Sequence, residues 1–262
     1  MDRNVKKIVV HSGAFHCDDV AVAALLLTAF PGAEVIRTFK PEAYTGDDTV
    51  IADIGFGRYD HHQQDCKLRA DGRKRAACGL IFEDFWQEIG FSQKSAEIFE
   101  RSYIIPIEDQ DNGAKDENGN LIRNPLSEAV KAFNPSWNSS ESSDEAFMRA
   151  VDFLKLVIEN ELRRTRASEE AETVLADAVK NQENGIVVLD KFIPCGYLKN
   201  NKDIRYIVFP SQRGGWEVQA NDRAVGLPKA WLTNKPSGCD FVHPNGFVAR
   251  FNRVEDIKAA LS

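Results

Sequence analysis

Four short clusters in the first 111 residues carry side chains that can do chemistry together: His11 with His16 and Asp18; Asp53; Asp60-His61-His62; and Asp109 with Asp111. All are hard or borderline metal ligands. Imidazole mixed with carboxylate suits Mn²⁺, Mg²⁺, Co²⁺ or Zn²⁺ in a reactive site better than a structural zinc. Two ions about 3.5–4 Å apart need roughly six such ligands, one of them a bridging carboxylate, and the inventory supplies them. Taken singly, each residue has a plainer use. A histidine at a strand end is usually a hydrogen-bonded surface residue. Paired acids such as Asp18-Asp19 cap a helix and complement its dipole, and Asp19 is read in that role. Cys17 is read as a small buried residue facing the sheet. The joint occurrence points to metal, because four of the five histidines fall before residue 63.

The elements that must position these residues follow from pattern. Lys7 to Val10 reads as a short buried strand that delivers His11 at its end. Val20 to Phe30 is apolar on nearly every face and reads as a buried helix, stopped by Pro31-Gly32. Glu34 to Phe39 and Thr49 to Ala52 read as two more strands, the second ending at Asp53. In a mostly parallel α/β sheet, ligands sit beyond the carboxyl ends of the strands, where His11 and Asp53 fall. Leu80 to Ile89 and Ala96 to Glu108 are predicted as amphipathic helices, with Asp109 to Gly113 closing the second. Leu126 to Phe133 is a shorter helix. Asp144 to Asn181 is a long charged helix with an apolar stripe of Phe147, Val151, Leu154, Ile158 and Leu162. The composition then changes at Asn184-Gly185 to strand-like runs at 186–189, 204–209 and 216–220. This predicts one domain over 1–183, long linker helix included, and a smaller α/β domain over 184–262.

Composition narrows the setting. A net charge of -7 argues against loose binding of polyanions over the whole surface, while leaving room for a local basic groove. The five cysteines are scattered and form no CxxC pair, so neither a disulfide framework nor a zinc ribbon is expected. No apolar signal core follows the basic residues near Met1, and the run from Val20 is too short to span a bilayer. A soluble, cytoplasmic protein with no membrane partner is expected.

The clusters sit in longer motifs. His11-Ser12-Gly13-Ala14-Phe15-His16-Cys17-Asp18-Asp19, Ile51-Ala52-Asp53-Ile54-Gly55, Tyr59 to His62, Ile107 to Gly113, Asn134-Pro135-Ser136-Trp137 and Gly238 to His243 follow one another along nearly the whole chain. Together they resemble the DHH phosphoesterase superfamily and, within it, the melanocyte-proliferating-gene exonuclease family. The resemblance implies a DHH-like N-terminal domain, its mostly parallel sheet flanked by helices, and a C-terminal domain that closes over substrate. It implies that His11 and His16 bind one metal, Asp18 and His61 the other, and that Asp53 bridges both. His62 would lie nearer the scissile phosphate. Asp60 would orient a neighbouring imidazole. Asp109 or Asp111 would supply the last carboxylate; Asp109 is favoured, because Asp111-Asn112-Gly113 also reads as the turn ending a helix.

The implied activity is a 3′–5′ exonuclease on single-stranded RNA or short oligonucleotides. It would use two divalent ions, Mn²⁺ first, and a metal-bridging hydroxide as nucleophile. In that scheme Asp53, Asp60 and His62 are the catalytic group. Arg73 and Lys74, in the basic loop 67–75, are candidate phosphate contacts. Arg213, beside the Gly214-Gly215 turn, and His243, in a second turn, are candidate substrate contacts in the C-terminal domain. A small-molecule phosphatase or pyrophosphatase is the alternative in the same chemistry. A non-catalytic metal-binding regulatory protein is the alternative outside it. A homodimer is left open.

Overall fold

Three consecutive β-branched residues set the centre of the N-terminal sheet. Ile8, Val9 and Val10 are fully buried on β1 (Lys7–His11), as expected for a strand covered on both faces. The chain then forms α1 (Cys17–Ala29), β2 (Glu34–Thr38) and β3 (Thr49–Ile51). β1 lies between β2 and β3, parallel to both. α1 is buried over its first ten residues, from Cys17 to Leu26. The carboxyl edge of this sheet presents His11 and, just past β3, Asp53. The computed structural model describes residues 4–261.

Around the sheet stand α2 (Ala77–Ile89), α3 (Gln93–Phe99), α4 (Ile105–Asp111), α5 (Pro125–Lys131) and the long α6 (Ser143–Lys180). The sequence predicts one helix from Ala96 to Glu108. The chain is helical throughout Gln93–Asp111, but winds as α3, a π-helical turn over Glu100–Ile104, and α4. Pro106 is the reason. It has no N–H for the preceding turn and its ring crowds the carbonyl four residues back, and the wider π turn absorbs both.

α6 serves two cores. Its stripe of Phe147, Val151, Leu154, Ile158 and Leu162 is buried in the first. Beyond Arg164, Ala171 and Leu175 are buried with Val187, Leu189 and Ile207 in another. The two compact units therefore divide at Arg164/Thr165, inside the helix, whereas composition changes only at Asn184. The second unit holds β4 (Ile186–Val188), β5 (Tyr206–Pro210), β6 (Trp216–Ala220), β7 (Cys239–Val242), β8 (Val248–Phe251) and α7 (Val254–Leu261). The sheet order is β4-β5-β6-β8-β7. β4 and β5 are parallel, and the other pairs are antiparallel. Sequence patterning finds three of these strands and reads the β7–β8 hairpin only as a turn. Each of those strands has four residues, too few for alternation to stand out. Among the described residues no helix is long and apolar enough to cross a membrane.

Candidate metal centre

Asp53 is the hub. It follows β3 with a left-handed backbone, φ 57°, a conformation that non-glycine residues adopt at a cost and that clusters at functional sites. Its amide is held by the Tyr59 carbonyl at 3.0 Å. Its two carboxylate oxygens face different imidazoles. Oδ2 lies 3.3 Å from His11 Nε2, and Oδ1 lies 3.1 Å from His61 Nε2. A single carboxylate between two imidazoles is the arrangement of a bridging ligand.

Further carboxylates complete two pockets. On the His11 side, Asp19 Oδ2 stands 3.2 Å from Nε2. Asp19 Oδ1 accepts from the backbone N–H of His16 and Val20, so the residue caps the helix with one oxygen. The other is buried without a hydrogen-bond partner and faces the site. On the His61 side, Nε2 lies 3.4 Å from Asp111 Oδ2 and 3.6 Å from Asp18 Oδ2. The first turn of α2 fixes Asp18, whose oxygens accept from Ala77 N and Cys78 N at 2.9 and 2.8 Å. Three sets of ligand atoms thus converge: His11, Asp19 and Asp53; Asp18, His61 and Asp111; and Asp53, His61 and His62.

The tautomers are prepared for coordination. His61 Nδ1 pairs with Asn112 Oδ1 at 3.2 Å, which directs the Nε2 lone pair at the carboxylates. Asn112 is itself tied down, its amide donating to the carbonyls of Glu108, Lys74 and Arg75. Asp60 Oδ1 accepts from His62 Nδ1 at 2.7 Å and Oδ2 from Phe56 N at 2.7 Å. The His62 ring is thereby held through one nitrogen at the mouth of an open cavity of about 630 Å³, lined also by His16, Phe56 and Lys74.

The electrostatics call for cations. Burial raises the Asp18 carboxyl well above its ordinary range, and the charges of Asp53 and Asp111 add to this. Burial also raises Asp111 and pushes Asp19 up to about 7. His11 is raised to about 9, chiefly by its hydrogen bond with Asp53. Burial pulls His61 down, but the Asp53 hydrogen bond and the surrounding carboxylates win and raise it to about 9. Asp53 goes the other way: burial pushes it up, and the two imidazoles outweigh that and bring it to about 2. Metal-free, the cluster can balance its carboxylates only with protons. Cys17 takes no part as a thiolate, since burial lifts its pKa to about 12.

Asp109 and Arg73 require correction of position. Asp109 is not with the cluster. Its carboxylate is held by Arg69 and Arg73, and Asp111 is the acid beside His61. Arg73 is occupied by that pairing, so of the two basic candidates Lys74 alone lines the cavity. His16 stands at the rim, its side chain 67% exposed and its Nδ1 3.9 Å from Asp111, while Asp19 takes the place close to His11. Arg213 and His243 both lie in the second unit, at opposite ends of its sheet. Arg213 is on the β5–β6 turn, beside the Pro210–Trp216 pair. His243 is on the β7–β8 turn, at the Val248 end of β8. Five residues of strand put roughly 17 Å between those ends. Gly215, two residues past Arg213, serves the sheet, since a Cβ there would meet the Phe251 carbonyl at 2.3 Å.

Sequence reasoning passes over Asp19 and Asn112 as ligand and support, and of the two acids it leaves open, Asp109 and Asp111, it favours the one that lies outside the cluster. Burial does not separate that pair, since Asp109 is the more buried of the two.

A family model described as "Uncharacterised protein family (UPF0160)" matches residues 7–260. The chain belongs to the MYG1 exonuclease family. It is 28% identical to the MYG1 exonuclease of Mus musculus, over 92% of this chain and 80% of that one. It is 27% identical to a MYG1 protein of Schizosaccharomyces pombe, over 94% and 93%. The Homo sapiens MYG1 exonuclease is 27% identical, over 92% and 81%. Among solved structures, RecJ in complex with Mn²⁺ from Thermus thermophilus is similar over 97% of this chain and 50% of that one. With 16% identity and a TM-score of 0.30, that likeness is too slight to bear on the site.

Proposed function

We propose that this protein is a metal-dependent phosphodiester hydrolase, a 3′–5′ exonuclease acting on single-stranded RNA or short oligonucleotides with two Mn²⁺ ions. The observation that carries the reading is the position of Asp53, with one carboxylate oxygen toward His11 and the other toward His61. The relatives named exonucleases support the reaction class, and the carboxylate-and-imidazole donor set supports Mn²⁺.

His11, Asp19 and Asp53 would hold one ion, and Asp18, Asp53, His61 and Asp111 the other. When bound, the ions supply water activation at neutral pH and neutralise charge on the phosphoryl oxygens. The chain's own groups do the rest. Asn112 fixes His61 in its ligating tautomer. Asp60 holds His62 through Nδ1–H, so Nε2 donates to a phosphoryl oxygen only when the ring is the imidazolium. Lys74 meets the same charge from the cavity wall. His16, at the rim, orients the incoming strand.

The test is hydrolysis of a short end-labelled RNA, with inorganic pyrophosphate in parallel, by wild type and Asp53→Ala with Mn²⁺. Stepwise shortening from the 3′ end by wild type, lost in the variant, is expected. Cleavage of pyrophosphate alone would replace the nuclease with a small-molecule hydrolase. Full activity in the variant would remove the bridging role.

A further inference from the structure

The larger of the two main cavities is not the metal centre. It encloses about 700 Å³ in the second unit, between the Phe192–Lys199 segment and the Gln219–Arg223 end of β6. That size falls in the range of small-molecule sites, and no residue of the metal centre lines it.

Its walls are built to stay in place. Asn221 donates from one amide nitrogen to the carbonyls of Leu198, Asn201 and Ile204, at 2.8, 3.2 and 3.1 Å. This ties the wall carrying Lys199 to the end of β6. Phe192 is 51% exposed, yet its ring is braced edge-on by the core ring of Phe209, with centroids 5.1 Å apart at 68°. An aromatic face open to solvent and supported from behind is a stacking platform.

The charge is positive. Arg223 lies over the Phe247 ring at 4.9 Å, and Lys199 lines the opposite wall. The one acid of the lining, Asp222, turns a carboxylate oxygen to the N–H of Ala224 at 2.8 Å. Residues 184–262 carry eleven Lys and Arg against seven Asp and Glu, in a chain whose net charge is -7. Gln219 adds a side-chain amide that can both donate and accept at a base edge.

We propose that this cavity is a nucleotide subsite for single-stranded nucleic acid, with a base stacked on Phe192 and its phosphate on Lys199 and Arg223. The choice of ligand rests on the nuclease reading above. A stacked base and a phosphate held by two cations need no sequence readout, which suits an enzyme that must pass every nucleotide.

The test uses the full chain in EDTA, so that ions at the metal centre contribute nothing. A labelled hexauridylate is titrated against wild type, Phe192→Leu and the double variant Lys199→Gln/Arg223→Gln, with AMP and inorganic phosphate as competitors. Each variant is expected to weaken hexamer binding about tenfold. The double variant should also flatten the salt dependence by about 1.4 in log Kd per log salt. AMP should compete where inorganic phosphate does not, and hydrogen exchange should show protection at 192–199 and 219–224. Unchanged affinity in both variants, or protection confined to the first unit, overturns the subsite. So does competition by phosphate as effective as by AMP, which marks a plain anion site. Mn²⁺-dependent cleavage is scored separately. Normal cleavage with unaltered hexamer binding in the variants removes the subsite and leaves the nuclease. No cleavage with the expected binding pattern removes the nuclease and leaves the subsite.

Discussion

α4 feeds two buried carboxylate clusters of opposite design. From one side, Glu108 and Asp109 meet arginines. Arg69 reaches both, Arg73 reaches Asp109, and Arg75 reaches Glu108 at 3.3 Å. Ala76 N donates to the remaining Glu108 oxygen. From the other side, two residues along, Asp111 stands with Asp18 and the imidazoles of His61 and His16, and feels the charge of Asp53. The first cluster is neutralised by the protein itself. The second has carboxylates facing carboxylates, an arrangement stable only with protons or added cations. Density of acid therefore does not mark a metal centre; an acidic cluster whose carboxylates, among the described residues, pair with no arginine or lysine does.

Exchanging the roles of Asp109 and Asp111 is the sharpest way to break this contrast. Asp111→Asn should lower Mn²⁺-dependent cleavage by about a thousandfold, roughly 4 kcal/mol of lost transition-state stabilisation. Asp109→Asn should leave the rate of folded enzyme within about threefold of wild type, under 1 kcal/mol. Initial rates at saturating Mn²⁺ decide it. Equal losses in the two variants would mean that the arginine cluster belongs to the active centre.

The arginine cluster should show its value in stability. Arg69, with a side chain 5% exposed, binds both acids, and Arg69→Met leaves two buried carboxylates underpaired. A loss of about 3–5 kcal/mol is expected from urea denaturation in EDTA. Gly79→Ala probes the same place more gently. A Cβ on this α2 residue would stand 1.8 Å from Glu108 Oε1, and Glu108 is pinned by Ala76 and the arginines. About 1–3 kcal/mol is expected. A neutral result for both would deny that this cluster organises α2 against α4.

The support of His61 comes next in size. Asn112→Ala removes the partner of Nδ1 and should weaken Mn²⁺ affinity about 10- to 100-fold. Metal titration followed by calorimetry reads it directly. Asn112→Asp, which keeps an acceptor, should restore most of the loss.

Legibility in the sequence followed the range of the interaction. The strand ends carrying His11 and Asp53, the buried α1 and the long α6 were readable, because each depends on local pattern and turn chemistry. So was the gathering of His11, Asp18, Asp53 and His61 as candidates. The pairing of Arg69, Arg73 and Arg75 with Glu108 and Asp109 was not. Those partners lie more than thirty residues apart, and a basic loop reads as a phosphate contact until its acids are seen. The capping role read for Asp19 holds and is only half of its use: a carboxylate has two oxygens, and capping the helix with one leaves the other for the site.

The smallest effect separates function from stability within the metal centre. In the metal-free protein, burial and the Asp53 charge hold the Asp111 carboxyl above its ordinary range. A carboxyl with a raised folded-state pKa destabilises the fold above its unfolded value of 3.8, and the penalty grows as pH rises through the folded value. Asp111→Asn removes that penalty. In EDTA at pH 7 the variant should therefore be more stable than wild type, by about 0.5–2 kcal/mol. At pH 3, where the wild-type carboxyl is protonated in both states, the gain should vanish. With saturating Mn²⁺ the order should reverse, because the ions bind the folded wild type through that carboxylate and favour it by mass action. Denaturation curves in the three conditions test each step. A variant less stable than wild type in EDTA at pH 7 would show that Asp111 is held by the protein, as Asp109 is, and the contrast between the two clusters would collapse.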